Sequence, residues 1–356
     1  MLRHNPCALS FSSPMDTVAV DPIPVVILNW NGEEDTVECL RSISTSAPAG
    51  FLPIIVDNAS RSESVERVRR ECERIFNTVV VLKGTDLIDT DRIPASGLLE
   101  CRKGDVVVLI ESSENLGFAK GSNLGVLVAR ALGSEWVMLL NNDTVVAPEM
   151  FQELRKFRDE NPSFVAITPQ IRRYNERTRI LNCGGDLTYF GSLKYRFENR
   201  DASSVEAGGR SVITFITGCA LLFKYGTTGL LTEDFFFGEE DYEFSLRLKK
   251  RGQKMACVHS AVVYHKVGTT IGKSSKKIGQ ILVYYVNRLI NTRRYYSTLR
   301  WQATRILAYL YLPFLFAKTG IAPTTAFSAV RRVQSYITKH HAVTREQFQA
   351  LVMSGH

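Results

Sequence analysis

The stretch "WVMLLNNDTVVAPEM" (residues 136–150) sets the apolar run Val137, Met138, Leu139, Leu140 directly against Asn141, Asn142 and Asp143. Consecutive apolar residues with no alternating polar ones read as a strand buried on both faces. A second strand-like pair, Val145–Val146, follows at once. Asn and Asp favour turns, because their side chains bond the local backbone and tolerate left-handed dihedrals. The carboxyl end of a buried parallel strand is equally where α/β sheets hold ligands. Taken alone, the stretch leaves both readings open.

Outward from it, strand and helix patterns alternate. "PVVILNW" (24–30), "LPIIVDNAS" (52–60) and "DVVVLIESS" (105–113) read as further apolar strands. Helical spacing follows each, over 33–43 with Val37, Leu40 and Ile43, over 64–76, through "GFAKGSNLGVLVARAL", and over 148–160. Such alternation predicts an α/β fold, with a mainly parallel sheet and helices on both faces. Three of the strands end in polar clusters: Asn29–Trp30–Asn31, Asp57–Asn58 and Asn141–Asn142–Asp143. Repetition at equivalent strand ends favours a binding site over three separate turns. Residues 84–104 interrupt the alternation and read as an inserted surface loop.

The loop "ENLGFAKGSNLGV" (114–126) carries Gly117, Gly121 and Gly125. Its spacing is not that of the dinucleotide fingerprint. Glycines beside a helix N-terminus nonetheless let backbone amides approach an anion, so Gly117 and Gly121 are expected near a phosphate.

Within 356 residues, 45% are hydrophobic and 22% charged, ordinary values for a folded protein. Seven cysteines are scattered without a C-x-x-C pair, which predicts no disulfide framework and no zinc site. Residues 1–22 lack a long apolar core and read as a flexible tail rather than a signal peptide. The net charge of +8 is unevenly placed. Residues 1–243 carry 25 basic and 35 acidic side chains, whereas residues 244–356 carry 19 and 1. A tail this basic is expected to attract anions.

"FFFGEEDYEF" (235–244) packs Glu239, Glu240, Asp241 and Glu243 behind three phenylalanines. Acids suit a helix N-terminus, but the phenylalanines anchor this cluster against a core. "LNCGGDLTYFGSLKYRFENR" (181–200) is read as an antiparallel hairpin in preference to a sugar-facing loop. His259 is read as structural.

Together, "VVILNWNG", "IIVDNAS", "ENLGFAKGSNLG" and "WVMLLNNDTVV" resemble, in order, the motifs of inverting family-2 glycosyltransferases of the GT-A fold, most closely the rhamnosyltransferase-like branch. "ITGCALLFKY" (216–225), "FFFGEEDYEFSLRLKKRG" (235–252) and "AVVYHKVG" (261–268) extend the resemblance over about residues 24–290. It implies a GT-A domain over 23–275. It also implies a nucleotide-sugar site drawn from Asn29, Trp30, Asn31, Asp57, Asn58, Asn115, Gly117, Lys120, Asn123, Asn142 and Thr217. Asp57 would read the base of a dTDP- or UDP-sugar. Asp143 and His265 would bind Mg²⁺ or Mn²⁺, with Asn142 and Asp143 in place of the family's D-x-D-like motif. Asp241 would be the catalytic base, with Glu240 orienting it or holding the acceptor. Asn141 and Asn142 are neutral, so this site has fewer charges than a D-x-D, and Glu243 stands where the family usually has a second Asp.

The remaining segment, 276–356, reads as a basic helical extension. "WQATRILAYLYLPFLFAK" (301–318) is too short an apolar run to cross a bilayer but suits its interface. Arg288, Arg293, Arg294, Arg300, Arg305 and Trp301 are expected at such an interface. The chain is therefore expected to be a cytoplasmic enzyme peripheral on the inner membrane face, acting on a glycan or lipid-linked glycan, with no nucleic acid partner. A sugar-phosphate nucleotidyltransferase, a catalytically silent nucleotide-sugar-binding protein and a nucleic-acid-binding module are the alternatives. The last leaves the strand-end clusters unexplained.

Overall fold

The computed structural model describes residues 22–46, 50–87, 105–266, 277–318 and 323–353. The expected N-terminal tail to residue 21, positions 88–104 of the insertion and residues 267–268 of the last motif lie outside them.

Four apolar runs form parallel neighbours, in the order β5 (Trp136–Leu140), β1 (Ile23–Asn29), β2 (Phe51–Asp57), β4 (Val106–Glu111). An edge strand, β3 (Thr78–Lys83), pairs with β4 in parallel. Period-two alternation divides each strand between two cores. Val26, Ile54, Val56, Val108, Ile110, Val137 and Leu139 face one cluster, and Val25, Ile27, Ile55, Val107, Leu109, Met138 and Leu140 the other. The second is covered by α1 (Glu33–Ser46), α2 (Ser62–Ile75) and α4 (Met150–Glu160) through Leu40, Val68 and Phe151. The first is covered by α3 (Gly117–Ala131) through Ala119 and Val128. Each fully buried Leu, Ile or Val contributes about 1.5–3 kcal/mol, so burial on both faces sets this layer order.

Beyond β5 the sheet becomes mixed. The short β6 (Thr144–Val146) leads to β7 (Phe164–Arg173), which is flanked by β8 (Ile180–Asn182). β9 (Gly185–Leu187) and β10 (Leu193–Tyr195) form the expected antiparallel hairpin, as a separate two-stranded sheet. β11 (Arg210–Ile213) is antiparallel to β13 (Lys254–His265). β12 (Ala220–Lys224) runs antiparallel to both β5 and β7. One helical turn, α5 (Tyr225–Thr228), and α6 (Glu240–Lys250) intervene before β13. His259 is held inside by Ser211 and the Glu206 carbonyl. The five described cysteines are free and buried.

The last four helices, α7 (Lys277–Tyr295), α8 (Thr298–Lys318), α9 (Pro323–Lys339) and α10 (Arg345–Met353), share a third core. Phe235 enters that core from the triple-phenylalanine stretch, and the Phe236 amide donates to the Val343 carbonyl at 2.8 Å. Among the described residues no helix is long and apolar enough to cross a membrane. Several arginines expected at an interface are instead spent internally. Arg288 is buried, Arg293 donates to the Ile337 and His340 carbonyls, and Arg294 pairs with Asp234. The Trp301 indole donates to the Leu289 carbonyl. A run of basic residues in sequence does not distinguish surface cations from those that tie helices together.

Candidate active site

Parallel register places Asn29 opposite Asp57 at the carboxyl ends of β1 and β2. The Asn29 amide donates to the Asp57 carboxylate at 2.9 Å, and its own oxygen accepts from the Thr36 hydroxyl at 2.9 Å. Asp57 also accepts from the Ser60 amide, and Asn31, at positive φ, accepts from the Arg61 amide. Trp30, by contrast, is 53% exposed at the end of β1 and free to meet a planar ligand.

Asn58 joins the β2 end to the glycine loop. Its amide nitrogen donates to Asn115 Oδ1 and the Gly117 carbonyl, each at 3.0 Å, while its oxygen accepts from the Leu116 amide. Gly117 has φ +80, and a Cβ there would lie 2.0 Å from the Phe236 carbonyl oxygen. Gly121 and Gly125 serve helix packing. A Cβ on either would strike Leu28 or Val26 of β1, at 2.8 and 2.5 Å. Gly117 is packed likewise, and its amide donates to Asn115 Oδ1 at 2.9 Å, so neither Gly117 nor Gly121 shows the open approach expected for a phosphate. Asn123 is bound to the Leu231 backbone and to Glu233, and Lys120 is exposed.

At the opening stretch, Asn142 donates to the Thr36 hydroxyl at 3.0 Å, bracing α1. The β6–β13 register sets Thr144 across from His265, which brings His265 Nε2 to 3.1 Å from Asp143 Oδ1. His265 Nδ1 is buried with no hydrogen-bond partner among the described residues. The nitrogen that faces Asp143 is Nε2, so a divalent cation taking oxygen and nitrogen ligands would be held by the Asp143 carboxylate and Nε2 in place of their hydrogen bond. Among the described residues no group of three or more His, Cys, Asp or Glu is placed to hold a metal ion. A cation here would draw its other ligands from a bound diphosphate and water.

Antiparallel pairing of β12 with β5 aligns Ala220 with Leu140 and sets the "TGCA" turn beside the asparagines. The Asn141 amide donates to the Cys219 carbonyl at 2.8 Å. One residue earlier, the Gly218 amide donates to Asp241 Oδ2 at 3.2 Å, and the Thr217 hydroxyl accepts from the Cys219 amide. Two motifs about a hundred residues apart in sequence thus meet through Cys219 and Gly218.

Asp241 lies in the first turn of α6. Burial first, and Glu239 second, push its carboxyl up to about 6, against the Gly218 amide and Arg288. Glu240 is pushed further, to about 8, again by burial first and by Asp241 and Glu239 after it, against the Gly238 amide. Burial outranks the like-charge crowding of Glu239, Glu240 and Asp241. Near neutral pH, Asp241 can accept a proton while Glu240 largely keeps its own. Glu243 accepts from Arg247 and Tyr295, so it braces α6.

Around this turn Glu239 was read from sequence only as part of an acidic cluster and Arg288 only as an interface cation, and Asn287 and Asn291 were not singled out. Glu239 binds Arg288 through both carboxylate oxygens, and Asn287 and Asn291 donate to the carbonyls of Gly238 and Glu239. Their signal was available. Asn287, Arg288, Asn291 and Thr292 recur at helical spacing within the apolar α7, and all are buried.

The family described as glycosyltransferase like family 2 matches residues 21–279. No curated protein matches the sequence. Among solved structures, GalNAc-T7 with UDP, GalNAc and Mn²⁺ superposes with a TM-score of 0.57 at 12% identity, over 94% of this chain and 57% of that one. This chain therefore spans little more than half of that protein. The mannosyltransferase PcManGT from Pyrobaculum calidifontis, in complex with GDP-Man and Mn²⁺, superposes with a TM-score of 0.52 at 16% identity, over 96% of this chain and 89% of that one. At such identities the likeness is one of fold, and the fold is GT-A. With well over half its length matched and its motifs gathered at one end of a GT-A sheet, the chain belongs to the family-2 glycosyltransferases.

Proposed function

We propose that this glycosyltransferase moves a sugar, with inversion, from a nucleoside-diphosphate donor to a hydroxyl of a glycan or lipid-linked glycan. The carrying observation is the Asp241 carboxylate, held on the Gly218 amide and pushed up to about 6, next to the turn that reaches Asn141. The acceptor oxygen attacks the anomeric carbon as the bond to the diphosphate breaks, and its proton passes to Asp241. Glu240, still protonated, orients that carboxylate or holds the acceptor. Asp143 and His265 would hold Mg²⁺ or Mn²⁺, whose charge stabilises the departing diphosphate. Both structural neighbours carry Mn²⁺, which supports a divalent metal here.

Trp30 and the braced Asp57 are the natural limits of a base pocket, with Asn115 and Gly117 next to the ribose and diphosphate. A dTDP- or UDP-sugar is the expected donor, and rhamnose is the first sugar to test. A division into a catalytic unit over 23–275 and a helical unit over 276–356 is supported by the third core, whose buried residues other than Phe235 all come from the last part of the chain.

The helical unit supports a peripheral place on the inner membrane face. One face of α8 packs Leu312 and Phe316 inward, while Ile306, Leu310 and Phe314, with Leu307 and Tyr311, form an exposed apolar stripe. Exposed Arg331 and Lys339 belong to the same acid-poor segment, so an anionic bilayer suits both charge and stripe.

Neutral Asn141 and Asn142 favour a second reading, a nucleotide-sugar-binding protein without turnover. Incubation with a panel of nucleotide-sugars and Mg²⁺ or Mn²⁺, reading released nucleoside diphosphate, separates the two. Release from one donor supports transfer. Tight binding of a donor with no release under any acceptor condition supports the silent reading.

A further inference from the structure

We propose that Arg288 is a positioning residue for the transfer step: clamped to Glu239, it fixes the first turn of α6 and with it the place of the Asp241 carboxylate. This rests on the reading of Asp241 as the base. Arg288 lies beyond the 21–279 segment that matches the family, so α7 adds a charged group to the site from outside it.

The geometry is that of a built clamp. Arg288 is 7% exposed. Its Nε and Nη2 both meet the Glu239 carboxylate, the latter at 2.9 Å, and Nη1 donates to the Gly191 carbonyl at 2.9 Å. Its guanidinium lies 3.6 Å from the Tyr242 ring centroid and 4.6 Å from that of Tyr284. Glu239 takes φ +71 with a side chain in place, and its carbonyl accepts from Asn291 Nδ2 at 3.1 Å. Asn287 Nδ2 holds the Gly238 carbonyl at 2.8 Å. A buried ion pair seldom adds stability over apolar packing of the same volume. A planar, two-bond fork does fix direction. Direction is what a base needs, since small misplacement of a reacting group costs rate steeply.

The pair also acts on Asp241 electrostatically, Glu239 raising and Arg288 lowering its titration. The other polar groups facing Asp241 are Glu240 and the Gly218 and Tyr242 amides, with Cys219, Tyr195 and Tyr284 around them. Removing either partner therefore moves the acid limb of kcat/KM in opposite directions. Without the Arg288 charge the carboxylate is disfavoured and the limb moves to higher pH. Without the Glu239 charge it is favoured and the limb moves to lower pH.

The test is the pH profile of kcat/KM for Arg288→Gln, Glu239→Gln, the double variant and Arg288→Lys, with donor affinity measured alongside. The expected result is a divergence of the two single limbs and a double variant near the wild-type position. In all of them kcat falls roughly 10- to 100-fold while donor KM changes by less than about threefold. Arg288→Lys keeps the charge but not the fork, so its limb stays in place while kcat falls. Limbs that do not diverge, or wild-type kcat in the double variant, overturn the proposal. If the single variants fail to fold, the double variant, which leaves no unpaired buried charge, and Arg288→Lys carry the test through kcat. Asp241→Asn measured in parallel separates the two levels. Turnover retained there removes the base itself, whereas turnover lost there without the expected effects removes only the role of Arg288.

Discussion

The Gly218 amide donates to the Asp241 carboxylate at 3.2 Å, so the turn entering β12 anchors the side chain best suited to take a proton. Burial and Glu239 push that carboxyl up to about 6. Below this pH the base is protonated and idle. Activity, followed as kcat/KM between pH 4.5 and 8, is expected to fall about tenfold per unit below pH ~6 and to level off above it. A profile flat down to pH 4.5 contradicts the environment described for Asp241.

The Asp143 carboxylate and His265 Nε2 stand 3.1 Å apart. Asp143→Ala is expected to weaken nucleoside-diphosphate binding roughly 10- to 100-fold in Mg²⁺ or Mn²⁺, with a smaller loss for His265→Ala and little change in chelator. Calorimetric titration reads this directly. Affinity unchanged in the presence of metal returns Asn142–Asp143 to a plain turn.

Gly117→Ala tests the loop between the strand ends and the phenylalanine stretch. A Cβ there meets the Phe236 carbonyl at 2.0 Å and sits at φ +80. The backbone and the clash together are expected to cost roughly 2–3 kcal/mol in denaturant unfolding, with weaker donor binding. Full stability and donor affinity in this variant count against the close approach.

Leu310 and Phe314 are 70% and 55% exposed on α8, so Leu310→Asp with Phe314→Asp is expected to fold and to transfer to a soluble acceptor normally. The wild-type protein is expected to sediment with anionic liposomes, less so as salt rises, because each exposed Lys or Arg contributes about 1 kcal/mol of screened attraction. The double variant is expected to stay in solution. Co-sedimentation equal to wild type removes the stripe as the anchor.

Strands β1, β2, β4 and β5 were legible because burial on both faces leaves unbroken apolar runs, and the polar clusters at the ends of β1, β2 and β5 were read as a ligand site. The edge strand β3, "TVVVLK", was passed over, although its pattern is apolar, because it leads straight into the insertion. The antiparallel half was harder to read. Its short strands are defined by partners far away in sequence, and the meeting of Gly218 with Asp241 depends on the pairing of β12 with β5. Asn29, Asn58, Asn123 and Asn142 were read as ligand-binding residues, whereas in the structure each binds protein groups, since an amide in sequence carries no direction. Arg288 was read with the surface cations because charge runs in sequence say nothing about depth.

The central claim is that Asp241 takes the acceptor proton. With the donor identified from the nucleotide-sugar panel, the decisive measurement is transfer by Asp241→Asn beside wild type, with donor affinity determined on the same preparations. The expected result is near-normal donor affinity with turnover lowered roughly 10²- to 10⁴-fold. Near-normal transfer by a folded Asp241→Asn protein would contradict the account.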